Sequence, residues 1–235
     1  MATVTDSAAP TGMPRDAARG IARAFLPARP WGNRYDYHYV QAKLRTDPLY
    51  PRVIQELRGG WPLLDLGCGL GLLAHALRAD GQSQSYLGLD IDTAKVRRAT
   101  RAAAVAGITD ARFAPFEMGR DELPPHLGAV ALLDVLQYLS APAQDTLLAE
   151  VIARLAPGAP LVIRVPLARE HARSRFTRVA DRIAHAIGWM DRAPRAYPTG
   201  EALQATLAGH GLQVECMPLR GHTPFDNWLL VARRP

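Results

Sequence analysis

The stretch Leu63–Leu73, Leu-Leu-Asp-Leu-Gly-Cys-Gly-Leu-Gly-Leu-Leu, admits few folds. An apolar run ends in an acid, three glycines follow at alternate positions, and the chain then turns apolar with helical character. That order reads as a buried parallel strand, a tight loop and a helix start. Glycines let such a loop take left-handed backbone angles and let a ligand lie against bare main chain. Free loop N–H groups and the helix N-terminus are then expected to face that ligand. The spacing narrows the ligand further. A dinucleotide fingerprint, G-x-G-x-x-G, would need glycine where Leu72 stands, and the Gly-Lys-Ser/Thr of a phosphate loop is absent. The loop reads as a nucleotide-type site of another spacing.

The 235 residues suit one α/β domain with appendages, and 48% hydrophobic content is enough for a sizeable core. No apolar run approaches the roughly 18–20 residues of a membrane helix. The N-terminus carries Asp6 and Asp16 without an apolar segment, unlike a secretory signal. Cys68 and Cys216 give neither a disulfide framework nor metal-ligand spacing, so a cytoplasmic protein without a metal is expected. The net charge of +6 is carried almost wholly by arginine, with Lys43 and Lys95 the only lysines. Basic residues concentrate over 15–34 and 164–195 without interleaved aromatics on one face, which argues against nucleic acid. An anionic substrate or acidic partner fits the charge.

Residues 1–14 read as a disordered tail, rich in Ala, Thr, Pro and Gly. Helices are expected over 15–28 and 51–58, flanking an aromatic cluster, Trp31–Tyr39, that serves packing and ligand contact equally well. After the glycine loop come a helix over 71–79 and a second strand, 85–92, tipped by Asp90. A carboxylate about twenty residues past such a loop is placed to accept ribose hydroxyls. Asp92 reads as the N-cap of a helix over 93–106, with Lys95, Arg97, Arg98 and Arg101 as a solvated face. A third strand, 111–118, and an almost wholly apolar fourth, 129–134, follow. A helix over 142–155 and a fifth strand, 160–166, come next. Residues 167–198 contain an amphipathic basic helix. The tail is a capped helix from Thr199 and two antiparallel strands, 212–219 and 227–232. Strand–helix alternation of this kind gives a doubly wound, mostly parallel α/β sheet with helices on both faces, here of seven strands.

The pattern Asp65-Leu66-Gly67-Cys68-Gly69-x-Gly71 resembles motif I of the class I, Rossmann-like methyltransferases that depend on S-adenosylmethionine (SAM). The resemblance extends to Gly-x-Asp90, to Asp134-Val135-Leu136-Gln137-Tyr138-Leu139 at the fourth strand, and to the run Arg154–Pro166. It implies a SAM pocket built from Asp65, Gly67, Cys68, Gly69, Asp90, Ile91, Glu117, Met118, Asp134 and Leu136. In that pocket Asp90 would hold the ribose, Glu117 the adenine amino group and Met118 the adenine ring. Asp134 and Leu136 would border the methionine end. Three departures stand out: Phe116-Glu117 replaces Gly-Asp, Gln137 stands where His is common, and Gly128 replaces an acid. The resemblance also implies that residues 15–58 form lid helices, with Tyr37, His38 and Tyr39 near cofactor or acceptor. Residues 59–235 would be the SAM-binding domain, with 167–198 inserted as a cap.

Methyl transfer to a hydroxyl asks for a base, and His38, His171 and His222 are candidates, His38 and His171 foremost, with Tyr37 beside them. The motif of nucleic-acid amino methylation, Asn/Asp-Pro-Pro-aromatic, is absent at Asp134–Gln137. General likeness is to bacterial biosynthetic enzymes that O- or C-methylate small molecules or carrier-bound acceptors, including those of polyketide or aryl-polyene pigment assembly. Three readings of 167–198 stay open: a substrate cap, a dock for an acyl carrier, and peripheral membrane contact through 173–189. Two other functional classes also stay open, an NAD(P)-dependent reductase on the same fold and a non-catalytic SAM-binding or scaffold protein.

Overall fold

The computed structural model describes residues 12–166, 195–219 and 227–234. The expected tail up to residue 11, the basic segment 167–194 with His171, and the loop 220–226 with His222 lie outside the described residues. Three helices lead: α1 (Arg15–Ala22), α2 (Tyr35–Thr46) and α3 (Leu49–Glu56). Then follow β1 (Leu63–Leu66), α4 (Leu72–Ala79), β2 (Tyr86–Asp90), α5 (Thr93–Val105), β3 (Ala111–Pro115) and β4 (Ala129–Leu133). The described chain ends with α6 (Ala141–Ile152), β5 (Leu161–Pro166), α7 (Gly200–Gly209), β6 (Gln213–Leu219) and β7 (Asn227–Arg233).

The strands form one seven-stranded sheet in the order β3-β2-β1-β4-β5-β7-β6. β1 through β5 run parallel, and β7 pairs antiparallel with both β5 and β6. The expected doubly wound sheet with a terminal hairpin is therefore present. Chain order reverses between β1 and β4, where ligands bind in open α/β sheets, outside the carboxyl ends of the strands.

Strand side chains alternate between two cores, as the two-residue period requires. Leu63, Ala129, Ala131, Val162 and Val231 face a core shared with α1 to α4 and Ala102 of α5. Leu64, Leu66, Val130, Leu132 and Ile163 face a second, filled by α6 and α7. The helix ends are set by local chemistry. The Asp92 carboxylate accepts from the N–H groups of Ala94 and Lys95 and starts α5 as expected, and Thr199 caps α7 through the Ala202 N–H. Among the described residues no helix is long and apolar enough to cross a membrane.

The N-terminal helices are more than a cover. Phe25, Val40, Leu44, Leu49, Val53 and Leu57 are all buried in the first core. Order also begins earlier than a 1–14 tail would allow. Met13 is buried and its N–H donates to the Leu44 carbonyl at 2.7 Å. The helix expected over 51–58 starts at Leu49, because Asp47 Oδ1 accepts the Leu49 N–H at 3.0 Å and fixes the turn. The expected solvated face of α5 is present at Arg97 and Arg101, both exposed, but it also makes contacts. Arg98 pairs with Asp36 of α2 at 2.9 Å and Arg101 donates to the Leu26 carbonyl at 3.1 Å. α2 thus runs from α5 at its first turn to β5 at its end, where Asp47 meets Arg164 at 2.6 Å.

Candidate functional site

The glycine loop joins β1 to α4 at the carboxyl edge of the sheet. Gly67, Gly69 and Gly71 all have left-handed backbones, with φ of 82°, 55° and 70°. Two of them are also packed in. A Cβ at Gly67 would collide with Val135 Cγ1, and one at Gly71 would stand 2.5 Å from Phe113 Cε1. At Gly69 the situation is reversed, since a Cβ would find nothing within 4 Å. The loop therefore presents bare main chain to open space at Gly69.

Four of its N–H groups are taken, contrary to expectation. Gly67 and Cys68 donate to the Leu89 carbonyl at 2.7 and 3.0 Å, and Gly71 donates to the Cys68 carbonyl at 2.8 Å. Gly69 donates to Asp90 Oδ2 at 2.8 Å. The loop is thus tied down by β2, and its contribution is a bare, fixed surface beside the start of α4.

Asp90 ends β2 as expected and lies against the loop. Besides the Gly69 bond, its Oδ1 accepts the Asp92 N–H at 2.8 Å. One bond on each oxygen leaves acceptor capacity on both. Ile91, next in the chain, is 44% exposed, unusual for a large apolar side chain. β3 stops at Pro115, earlier than expected, and the Phe116 N–H donates to the Asp90 carbonyl at 3.0 Å. That bond brings the Glu117–Met118 turn beside Asp90 and Ile91. Asp121 Oδ2 accepts the Glu117 N–H at 2.7 Å, and the Glu117 carboxylate pairs with Arg120 at 3.4 Å. Both Glu117 and Met118 are half-buried.

Beneath the loop, Asp65 is 2% exposed. Its Oδ2 accepts from the Tyr86 hydroxyl, and its Oδ1 has no hydrogen-bond partner among the described residues. Burial pushes its carboxyl up to about 7, with the Tyr86 bond opposing and the Asp90 charge adding to the rise. Cys68 is buried against Gly88, and burial pushes its thiol well up, so it offers the site only its backbone.

The adjoining wall is the turn after β4. Asp134 has φ 62°, the single non-glycine residue with positive φ among the described residues. Its Oδ2 pairs with Nη2 of Arg164. Leu136 is corrected: it is fully buried in the second core, because residues 136–138 form a tight 3-10 turn that rotates it inward. Gln137 donates from Nε2 to the Asp134 carbonyl at 2.9 Å, and its own carbonyl accepts the N–H groups of Arg195 and Ala196.

Arg164 was not singled out by sequence. It lies on β5 with a side chain 4% exposed, bonded to Asp134 and, through Nη1, to Asp47 Oδ2 at 2.6 Å. Lys43 also reaches Asp47 Oδ2 at 2.7 Å. Burial alone would raise the Asp47 carboxyl, but Arg164 and Lys43 outweigh it and hold it at about 2. Tyr39 lies beside this cluster. Its own burial, reinforced by the Asp134 charge, keeps its hydroxyl protonated well past the ordinary phenol range. The sequence did hold a signal: one guanidinium inside Leu161–Pro166, otherwise apolar, demands a buried counter-ion. Of the expected α2 residues, Tyr37 is half-buried and stacks edge-on with exposed His38 at 5.1 Å. Tyr35 and Tyr39 stack at 6.3 Å. His171 lies outside the described residues. Among those residues no group of three His, Cys, Asp or Glu is placed to hold a metal ion.

Comparison with known proteins agrees with this geometry. The methyltransferase-domain family profile matches residues 13–217. The ubiquinone biosynthesis O-methyltransferase of Bordetella pertussis is 29% identical over 147 residues, 61% of this chain and 58% of that protein. The ribosomal protein L11 methyltransferase of Deinococcus radiodurans is 37% identical over 119 residues, 47% of this chain and 42% of that protein. The chain spans about half the length of the curated relatives it matches. Among solved structures, magnesium protoporphyrin IX methyltransferase from Synechocystis superposes with a TM-score of 0.61 at 15% identity, over 94% of this chain and 98% of that one. That likeness establishes a shared fold. The chain belongs to the methyltransferase-domain family.

Proposed function

We propose that this chain is a SAM-dependent methyltransferase acting on a small-molecule or carrier-bound biosynthetic acceptor, by O- or C-methylation. The observation that carries the reading is the bare, open Gly69 surface with the Asp90 carboxylate fixed against it at the switch point of the sheet. The residues present fit the cofactor. Asp90 keeps acceptor capacity for two ribose hydroxyls, exposed Ile91 and half-buried Met118 suit the faces of an adenine, and Glu117 offers a carboxylate to its amino group. Asp65 Oδ1, buried beneath the loop and without a hydrogen-bond partner among the described residues, is an acceptor open to a further donor.

SAM, when bound, supplies an electrophilic methyl group on a cationic sulfonium. The chain's own residues hold, orient and exclude water. The glycine loop and the Asp134–Val135 turn are adjoining walls that meet at Gly67, and the Tyr35 and Tyr39 rings stack on α2. Tyrosine faces of this kind favour a nearby cation. His38, exposed on that helix, is the described candidate for taking a proton from a hydroxyl acceptor. The small-molecule reading draws on the ubiquinone-pathway relative and on the absence of the Asn/Asp-Pro-Pro-aromatic motif. Within it, polyketide or aryl-polyene acceptors remain our narrowest proposal.

The test is transfer of labelled methyl from SAM to fractionated extract. Label in the small-molecule or acyl-carrier fraction is expected. Label confined to ribosomal protein or nucleic acid would overturn the acceptor class. SAM binding without transfer to any fraction would favour a scaffold, and oxidation of NAD(P)H would favour a reductase.

A further inference from the structure

Arg164, Asp47, Asp134 and Lys43 form a neutral set of two cations and two anions, with Arg164 as its centre. Arg164 and Asp47 keep only 4% and 6% of their side chains exposed, whereas Asp134 keeps 38%. Stability alone does not explain such a set, because an apolar side chain of similar volume often serves a core as well as a buried ion pair. What the guanidinium does that an apolar group cannot is join two separate pieces of chain. Its Nη1 takes the residue between α2 and α3, where Asp47 also starts α3 by accepting the Leu49 N–H. Its Nη2 takes Asp134, whose left-handed backbone is disfavoured for any residue with a Cβ. The next residue, Val135, lies directly against Gly67, so no side chain fits between the β4 turn and the glycine loop. The turn is further held by its own backbone, since the Asp134 N–H donates to the Arg164 carbonyl at 2.9 Å.

We infer that Arg164 is a positioning residue that fastens the α2–α3 connection to the turn after β4, so that the N-terminal helices and the glycine-loop wall of the cleft move as one body. Its meaning for catalysis rests on the function proposed above. Contents of the cleft that press on Val135 are felt at α2, and disorder at α2 loosens the wall against Gly67. The coupling runs through one guanidinium with two carboxylates, and lysine, a point charge, holds them less well than a planar fork.

Hydrogen exchange of the full chain, without cofactor, tests the coupling. Arg164→Met should speed exchange at least tenfold in two segments together, residues 46–50 and 134–138. Amides of β1, β2 and α4 should keep their rates. Arg164→Lys should recover part of the protection in both segments. Asp47→Asn is the second variant, for use where Arg164→Met does not fold. It should speed exchange at 134–138, a segment that Asp47 does not touch. Faster exchange in only one of the two segments, or a uniform rise across the chain, would overturn the inference. A parallel titration with S-adenosylhomocysteine (SAH) should show at least tenfold weaker binding to Arg164→Met. Failure of the unmodified chain to bind SAH would refute the proposed function, and the exchange pattern would still decide the coupling.

Discussion

Two buried groups, Asp65 on β1 and His75 on α4, should make the stability of this protein nearly independent of pH where each alone would tilt it. Asp65 is raised from 3.8 to about 7, chiefly by burial, with the Tyr86 hydroxyl opposing and Asp90 adding. Between those values the folded chain holds a proton there that the unfolded chain has lost, so folding weakens as pH rises. His75, its ring tilted against Phe25 at 5.1 Å, is lowered from 6.5 to about 4 by burial and then by Arg78. In that window the unfolded chain holds the proton instead, so folding strengthens as pH rises. Each group contributes a slope of about 1.4 kcal/mol per pH unit, with opposite signs. Asp65→Asn keeps a partner for Tyr86 and removes one slope. Its unfolding free energy should then climb by ~2 kcal/mol between about pH 4.5 and about pH 6. His75→Phe should do the reverse and fall by a similar amount. His126, also lowered by burial, tilts the unmodified chain slightly toward the histidine sign. Urea denaturation across that range, with constant m, measures all three. Parallel profiles for the unmodified chain and Asp65→Asn would refute the reasoning.

The glycines separate packing from binding. Gly69→Ala meets open space but keeps φ 55°, so it should lower stability by only about 1 kcal/mol while weakening SAM binding at least tenfold. Calorimetric titration beside thermal unfolding checks both halves. Gly71→Ala would add Cβ 2.5 Å from Phe113 Cε1 at φ 70°, and should destabilise by about 2–4 kcal/mol in urea denaturation. Near-normal stability of Gly71→Ala would mean the loop is not held as described.

The parallel sheet was legible because burial on both faces leaves nearly unbroken apolar strands, as in Ala129–Leu133 and Leu161–Pro166. The loop and Asp90 were legible because left-handed turns select glycine and because a strand tip beside them can carry an acid to the ligand. Other features depend on which distant residues meet. Leu136 reads as a cleft residue by its place after β4, yet a tight turn rotates it into the core. Asp47 reads as an ordinary acid before a proline until β5 brings Arg164 to it, 117 positions along the chain. That the Gly67, Cys68 and Gly69 N–H groups are taken could not be known, since their acceptors, the Leu89 carbonyl and the Asp90 carboxylate, are set by strand register. Likewise Arg98 and Arg101 form a polar helical face by spacing, and only tertiary packing turns them toward α2 and Leu26.

The central claim is that the carboxylate at the end of β2, fixed against the bare loop, grips the ribose of an adenosyl donor. Titrating SAM into the unmodified chain and into Asp90→Ala measures it most directly. We expect saturable binding of one SAM per chain, weakened in Asp90→Ala by about 1–3 kcal/mol, roughly tenfold to a hundredfold in Kd. Equal affinity for the two proteins, or binding of NAD(P)H in place of SAM, would contradict it.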